Sequence, residues 1–215
     1  MIELNDTNGA SGVTRQYAAR VLTEFPNENI CGAEFGIAYG GGVERIGTMW
    51  KGRGTIYGFD TFEGHPKEIG ELCAFSAAVG GKSSFAATCM DNWYKPEHYG
   101  MDALKLEYQQ SELDRQGLDN VKLVKGLVTA DMDISFIDQL HYCLLDLDFP
   151  LSMLEAYYLV KDKIVAGGYL LLHDVIPKGH IPGCNEIYQR ILEDGIWEVV
   201  EEKENCLLAV LKRKL

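Results

Sequence analysis

The strongest constraint on this chain lies between Ile30 and Gly64, ICGAEFGIAYGGGVERIGTMWKGRGTIYGFDTFEG. A short apolar run (Ile30, Cys31, Ala33, Phe35) carries Glu34 near its end and leads into glycines at 36, 40, 41 and 42. The spacing predicts a helix from about Val43 to Trp50, then a second strand from Thr55 to Phe59 that closes with Asp60. Strand, glycine-rich turn, helix and acid-terminated strand make up a βαβ nucleoside-binding half-unit.

The residue types suit that use. Glycines let the backbone turn sharply off a strand and approach a ligand with no Cβ in the way. The helix that follows points its N-terminal amides at the same place. An acid ending the second strand sits where ribose hydroxyls can donate to it. The expected ligand is an adenosine-bearing cofactor.

At 215 residues the chain is long enough for one domain with a full-sized core, and its 47% apolar content is that of an ordinary globular protein. No apolar run approaches a membrane span, and MIELNDTNGAS does not read as a signal peptide, so a cytoplasmic protein with no membrane partner is expected. A net charge of -12 would repel phosphate backbones, which argues against nucleic acid as a partner. The six cysteines show neither CxxC pairs nor metal-ligand spacing. Cys31, Cys143 and Cys206 fall in predicted strands, as small apolar residues.

Ahead of the glycine unit, Gly12 to Phe25 has helical spacing and stops at Pro26; the N-terminal segment 1–26 is read as cover for the sheet, with closure over a ligand the alternative. Residues 65–100 are irregular, with a short helix suggested over Ser83 to Asp91, and form either a lid or a plain insertion beside the substrate. Met101 to Gln116 reads as a helix ending at Gly117, and Val121 to Val124 as the third strand. Asp131 to Gln139 is a short helix or an irregular crossover. Leu140 to Leu147 is a buried strand bearing Asp146, and Ser152 to Lys163 an amphipathic helix. Gly167-Gly168 is expected to turn into a strand from Tyr169 to Leu172, with a helix from Pro182 to Asp194 beyond it. The final runs, Ile196 to Glu202 and Cys206 to Lys212, are joined too closely for anything but antiparallel pairing.

The predicted fold is α/β: a three-layer Rossmann-like sandwich, five parallel strands followed by an antiparallel hairpin. Ligands of such sheets bind at the carboxyl ends of the strands. Those ends carry Glu34 and Gly36, Asp60, Gly126, Asp146 with Asp148, and His173 with Asp174; Asp148 could equally cap the next helix. Acids gathered on one rim repel each other unless a cation joins them. A cationic ligand or a metal ion would meet that need, and S-adenosylmethionine, with its sulfonium and ammonium, is such a ligand.

EFGIAYGGG, IYGFDTFEGHP, VKLVKGL, LLDLDFPLSMLEAYYLV and GGYLLLHDV together resemble the macrocin O-methyltransferase-like branch of the class I S-adenosylmethionine-dependent methyltransferases. The resemblance implies a seven-stranded sheet and a cofactor site at Glu34, Gly36, Ile37, Ala38, Tyr39, Gly40, Asp60, Thr61, Gly126, Leu127 and Asp146. It also implies magnesium or another divalent cation at Asp146, His173 and Asp174. Related enzymes usually have Asp-Asp or Asp-Asn where this chain has His173-Asp174. Histidine suits softer metals than magnesium, so His173 is a ligand, a base or a structural partner. Asp146 and His173 are the catalytic candidates. The implied reaction is methyl transfer to a hydroxyl of a small molecule, such as a sugar or another natural product.

Two rivals are weighed against this. A nicotinamide-dependent oxidoreductase would want GxGxxG, but Ala38 occupies the middle glycine position after Gly36. A non-catalytic methyltransferase-like module would have no use for the rim of acids. Oligomeric state is open, with a homodimer the commonest default.

Overall fold

The structure is a computed structural model, and it describes residues 9–64, 101–176 and 183–215. The expected lid or insertion and its short helix lie outside the described residues. Twelve principal elements follow in order: α1 (Ala10–Glu24), β1 (Ile30–Phe35), α2 (Gly41–Trp50), β2 (Gly54–Asp60), α3 (Leu106–Gln116), β3 (Val121–Lys125), β4 (Leu140–Leu145), α4 (Pro150–Val160), β5 (Ile164–Leu172), α5 (Cys184–Glu193), β6 (Trp197–Lys203) and β7 (Leu208–Arg213).

The seven strands form one sheet in the order β3-β2-β1-β4-β5-β7-β6. Strands β1 to β5 are parallel, and β7 runs antiparallel to both β5 and β6. Strand order reverses at the β1/β4 boundary, where the crossovers part to opposite faces and open a crevice.

Side chains alternate between two apolar layers because a strand repeats every two residues. Ala33, Phe35, Cys143, Leu145, Leu170 and Leu172 face the layer that contains Met153 and Tyr157 of α4 and Ile191 of α5. Tyr142, Leu144, Tyr169 and Leu171 face the other, with Val13, Tyr17 and Val21 of α1 and Ile46 and Trp50 of α2. Phe35 and Phe59 stack across β1 and β2 with ring centroids 4.3 Å apart. Trp50 Nε1 donates to the Ala18 carbonyl at 3.0 Å, tying α1 to α2. The leading helix therefore covers one face of the sheet, as expected.

Several sequence expectations need correction. Gly167 and Gly168 do not precede the last parallel strand but lie inside it, because β5 runs from Ile164 to Leu172. The register against β4 shifts between Leu140 and Tyr142, and Gly167, at φ 79°, takes up the extra length. Cys206 is not in a strand; it ends a 3-10 turn, Glu204–Cys206, and β7 starts at Leu208. The 101–116 helix is two pieces, a 3-10 turn Met101–Leu104 and α3. α4 begins at Pro150 and stops at Val160, short of Lys163. β4 stops at Leu145, which leaves Asp146 just beyond the strand. Of the two options for 131–139, the irregular crossover is the one observed.

Candidate active site

Because β1 to β5 are parallel, everything just past their carboxyl ends meets on one rim. The glycine turn leaves β1 at Gly36, whose φ is 84°. A Cβ at this position would fall 1.8 Å from the carbonyl oxygen of Asp146. The Asp146 N–H donates to the Phe35 carbonyl at 2.9 Å, so β1 and β4 hold their exits together here. Only glycine satisfies both the backbone angle and the close approach.

Asp60 organises the turn. Its Oδ2 accepts the N–H groups of Ile37 and Ala38 at 3.0 Å each, and its Oδ1 accepts that of Phe62 at 2.9 Å. The Asp60 carbonyl accepts the N–H of Gly126 at 2.9 Å, bringing the β3 exit alongside. Thr61 Oγ1 donates to the Gly64 carbonyl at 2.6 Å and so shapes the next bend. A carboxylate has about four acceptor positions. With three amides bound, Asp60 has little more than one left for a ribose hydroxyl. Tyr39 and Leu127 are about half exposed.

Glu34 does not point to solvent. Only 6% of it is exposed, and its Oε2 has no hydrogen-bond partner among the described residues. Burial first, then repulsion by Asp146 and Asp60, pushes its pKa up to about 8, against a smaller lowering by Arg45. The carboxylate lies over Gly42, where a Cβ would come within 2.4 Å of Oε1.

Past β4 and β5 stand Asp146, His173 and Asp174. The His173 Nδ1 lies 2.9 Å from Asp146 Oδ1 and 3.1 Å from Asp174 Oδ2. Neither carboxylate lies along the ring N–H, so among the described residues this buried nitrogen has no aligned partner. Burial works against the imidazolium, but contacts with Asp146 and Asp174 and their charges outweigh it and push the His173 pKa up to about 11. Asp174 is buried with φ 60°, a backbone angle uncommon for any residue but glycine. Ligand atoms of all three residues fall within 4.8 Å of one another. Deprotonated, this nitrogen and the two carboxylates would offer a divalent cation one nitrogen and two oxygen donors.

Sequence reasoning missed Gln109. Its Nε2, on α3, donates to the Ala38 carbonyl at 2.6 Å and lies 3.2 Å from the Ala103 carbonyl, linking the glycine turn to the segment before α3. Nothing local in LEYQQSEL marks that residue, since its partner is 71 positions away. Thr14 and Arg15 of α1 and Arg45 of α2 also reach the site, in a pocket shared with Glu34, Asp146 and His173. The sequence favours α1 as cover over a role beside the ligand, and it singles out neither Thr14, Arg15 nor Arg45. His141 is fully buried at the opposite end of β4. It accepts the Cys31 N–H at 3.1 Å, and its Nε2 lies 2.8 Å from Glu28, a structural arrangement.

No family model matches this chain, and no curated protein matches it in sequence. Solved structures do match in shape. The O-methyltransferase NovP superposes with a TM-score of 0.71 at 18% identity, over 95% of this chain and 79% of its own. CalS11, a calicheamicin methyltransferase, gives 0.65 at 15% identity, over 97% and 83%. An rRNA methylase from Streptococcus thermophilus gives 0.55 at 13%, over 95% and 96%. The chain thus has the Rossmann-like fold of the class I methyltransferases. O-methyltransferases are among its structural neighbours, in keeping with the motif resemblance.

Proposed function

We infer that this chain is an S-adenosylmethionine-dependent methyltransferase that methylates a hydroxyl on a small molecule, with residues 1–215 acting as one catalytic domain. One observation carries the reading. The switch point of the sheet brings a glycine turn held by Asp60 together with the buried acid Glu34 and the Asp146, His173 and Asp174 cluster. Such a rim suits a nucleoside that carries positive charge.

When bound, S-adenosylmethionine supplies an electrophilic methyl on a sulfonium, and a divalent ion at Asp146, His173 and Asp174 would supply charge that lowers the pKa of an acceptor hydroxyl. The chain's own residues do the rest. The turn from Gly36 to Gly40, with Tyr39 and Leu127 flanking it, holds the nucleoside. Asp60 and Thr61 fix the turn and leave one acceptor position for the ribose. Glu34 faces the ammonium. Asp146 takes the hydroxyl proton and becomes neutral, while His173, with Nδ1 2.9 Å from Asp146 Oδ1, holds that carboxyl in place. Catalysis is then mainly positioning of two reactants.

One structural neighbour is described as an rRNA methylase. A net charge of -12 opposes a phosphate backbone, so we favour the small-molecule acceptor. The free thiols at Cys31, Cys143 and Cys206 suit a cytoplasmic setting, and among the described residues no helix is long and apolar enough to cross a membrane. Calorimetry with S-adenosylhomocysteine and with NADH tests the reading. Binding of the former alone supports it; binding of NADH alone, or of neither, overturns it. Turnover of radiolabelled methyl onto a panel of hydroxylated sugars and natural products then separates an enzyme from a binding module.

A further inference from the structure

α3 reaches the glycine turn through one side chain. Leu113 packs in the same apolar layer as Ile46 of α2, which fixes α3 in place. Gln109 lies one helical turn earlier on that face and is only 5% exposed. Its Nε2 donates to the Ala38 carbonyl at 2.6 Å and also faces the carbonyls of Ala103 at 3.2 Å and Leu104 at 3.4 Å. Three acceptors around one nitrogen settle which end of the amide is which.

The other end of the amide is left over. Oε1 is buried and has no hydrogen-bond partner among the described residues. It lies over Gly40, where a Cβ would come within 2.5 Å of it. A buried acceptor without a partner is destabilising. Methionine, of similar length, would fill the same space without that cost, so packing alone does not explain an amide here.

What the amide holds supplies the reason. Ala38 has a φ of 46°, a left-handed angle that residues with a Cβ seldom adopt. Asp60 Oδ2 at the end of β2 accepts its N–H at 3.0 Å, and Gln109 from α3 donates to its carbonyl. Two side chains from different elements thus hold both polar groups of one strained residue. Ala38 itself is exposed, so these hydrogen bonds rather than burial fix its conformation.

We propose that Gln109 is a positioning residue for the methyl donor: it keeps Ala38 left-handed, and with it the turn from Gly36 to Gly40 in the shape that receives the nucleoside. The proposal rests on the cofactor reading given above. Gln109 acts through the turn and does not touch the ligand. A turn already in its bound shape needs no ordering when the ligand arrives, whereas a turn that spends time in other shapes lowers the affinity in proportion.

Calorimetry with S-adenosylhomocysteine on the full chain, paired with thermal melts of the ligand-free protein, tests the proposal. The carbonyls released in Gln109→Met belong to exposed or half-buried residues and can take up water, so this variant should melt within a few degrees of the parent. It should nevertheless bind S-adenosylhomocysteine about tenfold more weakly. Ala38→Gly then identifies the route, because glycine adopts a left-handed φ without a clamp. Adding it to Gln109→Met should improve the affinity at least about threefold more than adding it to the parent, a coupling that a merely structural glutamine would not produce. Parent-like affinity in Gln109→Met, or a fold lost along with the affinity, overturns the positioning role. An equal effect of Ala38→Gly in both backgrounds does so too, and each of these results leaves the methyltransferase reading standing. Failure of the unmodified protein to bind S-adenosylhomocysteine overturns that reading, and the positioning role with it.

Discussion

Oδ2 of Asp60 lies 3.0 Å from the backbone nitrogen of Ile37 and accepts its hydrogen. The acid that ends β2 therefore acts first on the protein's own glycine turn, and only its remaining acceptor position is left for a ligand. Turn geometry and nucleoside affinity should depend on the same side chain.

Replacing Asp60 by Ala removes the acceptor for the amides of Ile37, Ala38 and Phe62. Leaving such groups unsatisfied costs about 1–3 kcal/mol each where they are buried, and less here because Ala38 is exposed. A loss of about 2–4 kcal/mol in denaturant titrations is expected, together with lost S-adenosylhomocysteine binding. Asp60→Asn keeps one acceptor oxygen and should fall between the two. Full stability in Asp60→Ala would show that the turn holds itself.

Glu34 makes stability depend on pH. Its pKa in the folded protein is raised from 4.5 to about 8, so folding favours the protonated acid. Its stabilising contribution is complete below pH 4.5 and is lost as pH rises to about 8, by on the order of a few kcal/mol. Glu34→Gln should flatten this part of the profile in the ligand-free protein and weaken S-adenosylhomocysteine. Parallel profiles for the two proteins between pH 5 and 8 would show that Glu34 ionises normally.

Gly42→Ala tests crowding at the floor of the pocket. The new methyl would lie 2.4 Å from Glu34 Oε1, with no positive φ at this position to add backbone strain. The variant should fold, with its melting temperature within a few degrees of the parent, and lose S-adenosylhomocysteine affinity by about tenfold or more. Unchanged affinity would mean that the Glu34 carboxylate can move aside at no cost to binding.

His173→Asp converts the two-oxygen, one-nitrogen cluster into three carboxylates. Magnesium prefers hard oxygen ligands, and the third donor beside Asp146 and Asp174 is an imidazole nitrogen. The variant should bind magnesium about tenfold more tightly than the parent by calorimetry. Weaker magnesium binding in His173→Asp would make the imidazole itself the better ligand.

The order of the elements was legible in the sequence because each rests on local signals. Ile30 to Phe35 is a short apolar run, Gly36 to Gly42 turns, Asp60 closes the next strand, and the short link from Lys203 to Asn205 permits only a hairpin. Parallel strands also force their carboxyl ends to one rim, so Glu34, Asp60, Asp146, His173 and Asp174 could be grouped before any coordinates. Where each side chain points, and what it touches, was decided only by tertiary structure. Asp60 turns inward to backbone amides, Glu34 is sealed under the α1/α2 layer, and His173 sits between two carboxylates. Gln109 grips a carbonyl 71 residues away, and Arg15 enters the pocket from a helix whose sequence shows only an apolar stripe. Periodicity and turn chemistry act over a few residues, so a chain displays them directly. Burial, charge coupling and long-range hydrogen bonds depend on distances that exist only after the layers have packed.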